Sequence, residues 1–299
     1  MSLIMIGYIC CFGSIYHVPN TEYNARVISW TIYYGHTHLL QEIVNHVECN
    51  NHSISLVFGS DVMENTRLLL LGCYSKTLDI VELILKYVDP KCIDMDLTPS
   101  TVNLFRGTVT PLISACTMGN LCIVNALLRN HADINKCNNW NTSPFIRASM
   151  YGHIDVVKCL LSSGADVNLC DGNGRSPLFV ASWYGHCDVV KCLLSSDADF
   201  NLSDVSGQPP LFIASMEGHY DVVKCLLSSG ADVNLCDGNG QSPLFVASAK
   251  GHCNVVKCFL SYGADVNLCD GNGQSPLFVA SAKGPCDVVK CLRSCGADI

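Results

Sequence analysis

Twenty cysteines are the residues of this 299-residue chain whose chemistry first needs an account. Thiolates attack electrophiles, ligate metals and pair with one another. Cys159, Cys192, Cys225, Cys258 and Cys291 recur every 33 residues, and His153, His186, His219 and His252 keep the same step. A zinc site would need closely spaced ligand pairs, and no Cys-x-x-Cys occurs. One histidine per step, always after glycine, suits a turn between helices better than a ligand set. Gly172-Asn173-Gly174 has the small, glycine-rich composition of a phosphate cradle. It recurs at Gly238 and Gly271, however, without the lysine and hydroxyl of a phosphate loop, and so reads as a turn. Neither Gly-x-Ser-x-Gly nor His-Glu-x-x-His is present, and the carboxylates repeat along the chain with no unique pair. The expectation is therefore no catalytic residue, no metal, no cofactor, no small-molecule substrate and no enzyme.

Spacing this regular must come from the elements that hold the residues. Pro111, Pro144, Pro177, Pro210, Pro243 and Pro276 are also 33 residues apart. Ser176 to Ser182 reads Ser-Pro-Leu-Phe-Val-Ala-Ser and recurs at Ser242 and Ser275. Ser176 suits a helix N-cap and Pro177 the first helical position, with Gly185 as the stop. A second helix is predicted from near Asp188, with Val189, Val190, Leu193 and Leu194 on one face. Gly164, Gly230 and Gly263 end this helix in the sister units. Asp166 to Gly174 then reads as a turn finger leading to the next unit. Two short helices cannot bury their own apolar face, so the units must stack into a solenoid.

A 33-residue unit with Ser-Pro-Leu-x-x-Ala, then Gly-His, Asp-Val-Val and Gly-Ala-Asp-Val-Asn resembles the ankyrin repeat. The resemblance implies an all-α solenoid of about eight helix-turn-helix units with short β-hairpin-like fingers. Six clear units are expected over 107–299. Degenerate ones are expected over 23–106, around Ile28 to Val47 and from Thr66 to Leu83, with an insertion near 89–106. The family usually has histidine where Phe179, Phe212, Phe245 and Phe278 stand, so apolar packing should replace some polar cross-linking. Asn168 and Asn234 match asparagines that a 2-oxoglutarate-dependent hydroxylase modifies in this family, each with a leucine (Leu160, Leu226) eight residues earlier.

Equivalent cysteines on neighbouring helices should lie about 8–10 Å apart. Disulfides need Cα separations below about 7 Å. Small semi-buried thiols in a reducing compartment follow, cytoplasmic or alternatively nuclear. Met1 to Val18 is an uncharged apolar leader within residues 1–22. It lacks the positive start of a signal peptide, and no run reaches the roughly 18 apolar residues of a membrane span. Net charge is -8, with no Lys/Arg run. Nucleic acid and membrane insertion are accordingly not expected. Arg293, where Leu161, Leu194, Leu227 and Leu260 stand earlier, fits either a polar cap or the end of a longer array.

Fixed positions build the stack, which leaves variable ones for function. Met150-Tyr151, Trp183-Tyr184, Met216-Glu217 and Ala249-Lys250 vary at one place, which by the resemblance lies on the concave face. Arg175 varies on the finger side. Aromatic and arginine side chains are the usual anchors of interfaces. The expected binding residues are Met150, Tyr151, Arg175, Trp183, Tyr184, Met216, Glu217 and Lys250. The competing expectation is that the rings only cover the inner helices. The function so implied is a scaffold or signalling adaptor that holds a protein partner. The alternative is a regulatory or sensor segment of a larger NTPase, kinase or channel protein.

Overall fold

A computed structural model describes residues 28–49, 55–58, 61–95, 97, 108–283 and 286–297. The apolar leader lies outside them. The chain divides into two compact units, Met1–Asp133 and Ile134–Ile299.

The second unit holds five helix pairs: Pro144–Met150 with Ile154–Ser162, Pro177–Trp183 with Cys187–Leu194, Pro210–Glu217 with Tyr220–Ser228, Pro243–Lys250 with Cys253–Ser261, and Pro276–Lys283 with Cys286–Ser294. The first (inner) helix of each pair packs on the first of the next, and the second (outer) helix on the second, as in an all-α solenoid. The starts are set locally. The hydroxyls of Ser143, Ser176 and Ser242 accept hydrogen bonds from the backbone N–H of Ile146, Phe179 and Phe245 at 3.2, 3.1 and 3.1 Å. Each such cap is worth about 1 kcal/mol. Pro209 takes the place of serine in the third pair, and no side chain caps that helix. The outer helices bury one stripe, such as Val189, Val190 and Leu193.

The histidines occupy the turn between helices, and their rings do more than the spacing indicated. His186 Nε2 lies 2.9 Å from the carbonyl of Met150, His219 Nε2 2.9 Å from that of Trp183, and His252 Nε2 3.0 Å from that of Met216. A carbonyl only accepts, so Nε2 carries the hydrogen. Each ring ties its pair to the pair before it. Polar cross-links between pairs are thus made by the histidine of Gly-His, while the Phe179 position contributes apolar contact.

The fingers are tight turns. Asp171 Oδ1 accepts from the backbone N–H of Asn173 and Arg175 at 2.9 and 3.0 Å, and Asp204, Asp237 and Asp270 repeat the pattern. The hairpin character reduces to single bonds such as Asp171 N–H to Arg175 O at 3.1 Å, with no paired strand among the described residues. At Asp270 the Gln274 N–H holds the carboxyl below its ordinary value. Successive fingers are joined by one backbone bond each, for example Gly238 N–H to Ser206 O and Gly271 N–H to Asn239 O, both 2.9 Å.

In the first unit, helical residues 28–33 precede Thr37–Cys49, with Gly35 at φ 72° between them. Val62–Ser75 pairs with Leu78–Tyr87, and Pro111–Met118 with Leu121–Arg129. The sequence match places Thr66 at a helix start, but the helix begins at Val62 and Thr66 is buried mid-helix, its hydroxyl donating to Val62 O at 2.8 Å. Asp61 at the N-cap, with Glu64 three residues later, marks this earlier start. Within the expected insertion, Pro90–Ile93 forms a 3-10 turn and Leu97 bridges antiparallel to Val109. Residues 98–107 lie outside the described ones.

Candidate partner-binding surface

Apart from Arg175, which lies in the finger before Pro177, the residues expected to bind a partner stand at the ends of the inner helices of the second unit. They separate into two sets. Met150, Trp183 and Met216 are half-buried and pack against the core formed by Ile146, Phe179, Val180 and Ile213. The Trp183 ring meets Phe179 edge-on, with centroids 6.0 Å apart. Tyr151 and Tyr184 are each 49% exposed and stand one repeat apart. Each stacks on the histidine two residues later, Tyr151 on His153 and Tyr184 on His186, at 6.2 and 6.3 Å. Glu217 and Lys250 are exposed at equivalent helix ends. Arg175 is pinned: its Nη2 lies 2.7 Å and its Nε 2.9 Å from Asp171 Oδ2, and the guanidinium sits 5.7 Å over the Trp183 ring.

Arg147 escaped the sequence reading. It occupies the inner-helix position that Val180, Ile213, Val246 and Val279 fill in later pairs. It lines a cavity of about 530 Å³ with Trp140, Met150, Asp171, Asn173 and Arg175. The available signal was one charge in a column that is apolar in every later pair and serine, at Ser114, in the pair before.

Asn168 and Asn234 link fingers. Their side-chain oxygens accept from the N–H of Asp199 and Asp265, both at 2.9 Å.

The cysteines whose side chains the structure describes run from fully buried Cys73 to exposed Cys122 and Cys269, and these are free thiols. Burial pushes the Cys73 thiol up to about 12, and raises Cys92, Cys192 and Cys258 as well. Comparing only equivalent positions overlooks diagonal neighbours: Cys253 lies beside Cys291 in the next outer helix. Among the described residues no three His, Cys, Asp or Glu side chains converge as a metal site would require. Alkylation with iodoacetamide at mildly alkaline pH is expected to modify Cys122 and Cys269 first and Cys73 last. Peptide mass mapping over time checks this, and early modification of Cys73 in the folded chain would contradict its burial.

No helix among the described residues is long and apolar enough to cross a membrane. A family model described as ankyrin repeats, in three copies, matches residues 112–204 and again 206–299. No curated protein matches the chain. Helix pairs stacked in register, capped by Ser-Pro and matched by that model over more than half of the length, establish that the chain belongs to the ankyrin repeat family.

Proposed function

We propose that the chain is a non-catalytic interaction module that holds a protein partner across the inner-helix ends and fingers of residues 134–299. Ankyrin repeats generally serve as protein–protein interaction modules, on a fold that is typically non-catalytic. The observation that carries the assignment here is the pair Tyr151 and Tyr184. Both are half exposed, and both are held by stacking on a histidine whose position the fold repeats. An aromatic ring already fixed in place loses little freedom on binding and offers a large contact area. The finger carboxylates of Asp171, Asp204, Asp237 and Asp270 are occupied by backbone N–H groups, so they serve the scaffold. A net charge of -8 fits a protein partner better than nucleic acid or an anionic membrane. Twenty cysteines stay reduced in the cytoplasm or nucleus, which is where such a module would work.

The test is affinity capture from a native lysate by the intact chain and by a Tyr151→Ala/Tyr184→Ala variant of equal helicity. Each anchor is worth about 1–2 kcal/mol, so a partner held by the intact chain is expected to be lost by the variant. Capture of the same proteins by both would refute the assignment of this face. The tyrosines are the cleaner choice for this test because Trp183 also covers the core.

A further inference from the structure

Arg147 breaks a rule that its own repeat obeys elsewhere. The equivalent side chains Val180, Ile213, Val246 and Val279 are 0–7% exposed and form the apolar floor of the inner-helix row. A guanidinium at that position must find partners or remain unpaired at a cost to stability. Its Nε is buried without a hydrogen-bond partner, and Nη1 reaches only the Met150 sulfur, at 3.9 Å. Arg67, in the first unit, also has an unbonded buried Nε, but its Nη1 is paired with Glu64 at 3.0 Å. Arg147 has no such carboxylate.

The cavity around it is asymmetric in charge. Asp171 lines it too, but Oδ1 accepts from two backbone N–H groups and Oδ2 from the Arg175 side chain. Two arginines against one aspartate leave one positive charge, and it resides on Arg147. Trp140, 46% exposed, and half-buried Met150 supply apolar walls. We propose that this cavity receives the carboxylate of an Asp or Glu side chain of the partner, paired with Arg147, while an adjacent apolar residue of the partner lies against Trp140 and Met150. A guanidinium offers the planar fork that a carboxylate matches. No lysine lines the cavity and Asp171 borders it, so a single negative charge suits it better than a doubly charged phosphate. This inference rests on the interaction-module assignment and adds to it the chemistry of the partner's anchor. The unpaired Arg147 then has its rationale as a binding group retained at the expense of packing.

A random dodecapeptide library displayed on phage and selected on the full chain supplies the probes. The best binders, made synthetically, are titrated by fluorescence polarisation against the intact chain, Arg147→Val and Tyr151→Ala/Tyr184→Ala. The selected peptides are expected to be rich in Asp or Glu, and one Glu→Gln change in the peptide should weaken binding by about tenfold. Arg147→Val should weaken the parent peptide as much and become indifferent to the Glu→Gln change. Because valine or isoleucine fills this position in the later pairs, Arg147→Val should also melt at a higher temperature, so lost binding cannot be lost folding. Peptides without acidic enrichment, or an equal Glu→Gln effect on Arg147→Val, would overturn the proposal. Peptides that need the two tyrosines but not Arg147 would overturn it and leave the interaction module standing. No peptide binding above a scrambled control would overturn both.

Discussion

A Phe179→Ala chain is expected to lose about 3–5 kcal/mol of stability, the usual cost of removing a fully buried phenyl ring. Phe179 is 1% exposed, packs with Ile146, Val180 and Ile213, and supports the Trp183 ring. The chain contains its own control. Phe278 lies in the same Ser-Pro-Leu-Phe-Val-Ala-Ser heptapeptide yet is 57% exposed. Phe278→Ala should cost less than about 1 kcal/mol. Urea midpoints followed by circular dichroism measure both. Equal losses would show that burial is not what the phenylalanine contributes. The comparison also tests what replaced the histidine usual at this position in the family: apolar contact between inner helices, present at 179 and largely missing at 278.

Gly185→Ala should be nearly as damaging, through a different cause. Gly185 has φ 75°, a backbone conformation that costs an L-residue about 1–2 kcal/mol. A methyl group there would also sit 2.7 Å from His219 Nδ1. The ring must move, and moving it breaks the bond to the Trp183 carbonyl, worth about 1 kcal/mol. A total near 3 kcal/mol is expected from those two contributions and the crowding together. A double-mutant cycle separates them. In a His219→Ala background the ring's share should vanish, leaving about 1–2 kcal/mol for the backbone. An undiminished cost in that background would mean that the ring is not in the way. The same contact recurs at Gly152 with His186 and at Gly218 with His252, so a result at one turn speaks for three.

Much of this fold was legible because its determinants are local. Ser-Pro marks a helix start and Gly-His the stop and restart, and both act within a few residues. The helix pairs of the second unit accordingly stand where the periodicity placed them. What stayed hidden depends on groups brought together from different repeats. The histidine ring bonds a carbonyl 36 residues back, and no window on one unit contains both partners. Trp183 reads as an exposed anchor beside Tyr184, yet it curls onto Phe179 and leaves the tyrosine outside. Met150, Trp183 and Met216 share that behaviour, while Tyr151 and Tyr184 keep the exposure expected of them. Arg147 was visible as a letter, but its unbonded Nε is apparent only once the neighbouring fingers close around it. At Thr66 the local signal misled, because a threonine in the cap column turned inward and bonded within its own helix.

The bonds between fingers have a consequence for how such a chain reaches its native state. Asp232 to Gly240 and Asp265 to Gly273 are the same nine residues, as is Asp166 to Gly174. Each offers the finger before it the same glycine N–H, and Asn168 and Asn234 offer the finger after them the same side-chain oxygen. These contacts hold adjacent pairs together but do not distinguish one copy from another. A chain that skips a pair while refolding would lose one interface and keep the others, so a skipped register is the kinetic trap to expect. Synthesis on a ribosome releases the pairs one at a time, so each docks before its duplicate exists. Dilution from denaturant presents all copies at once. The divergent finger Asp199 to Gly207, set between two identical ones, makes the same kinds of bond, with Val205 N–H to Asn173 O at 3.0 Å and Asp232 N–H to Asn201 Oδ1 at 3.4 Å, so the links between fingers are indifferent to which copy they join.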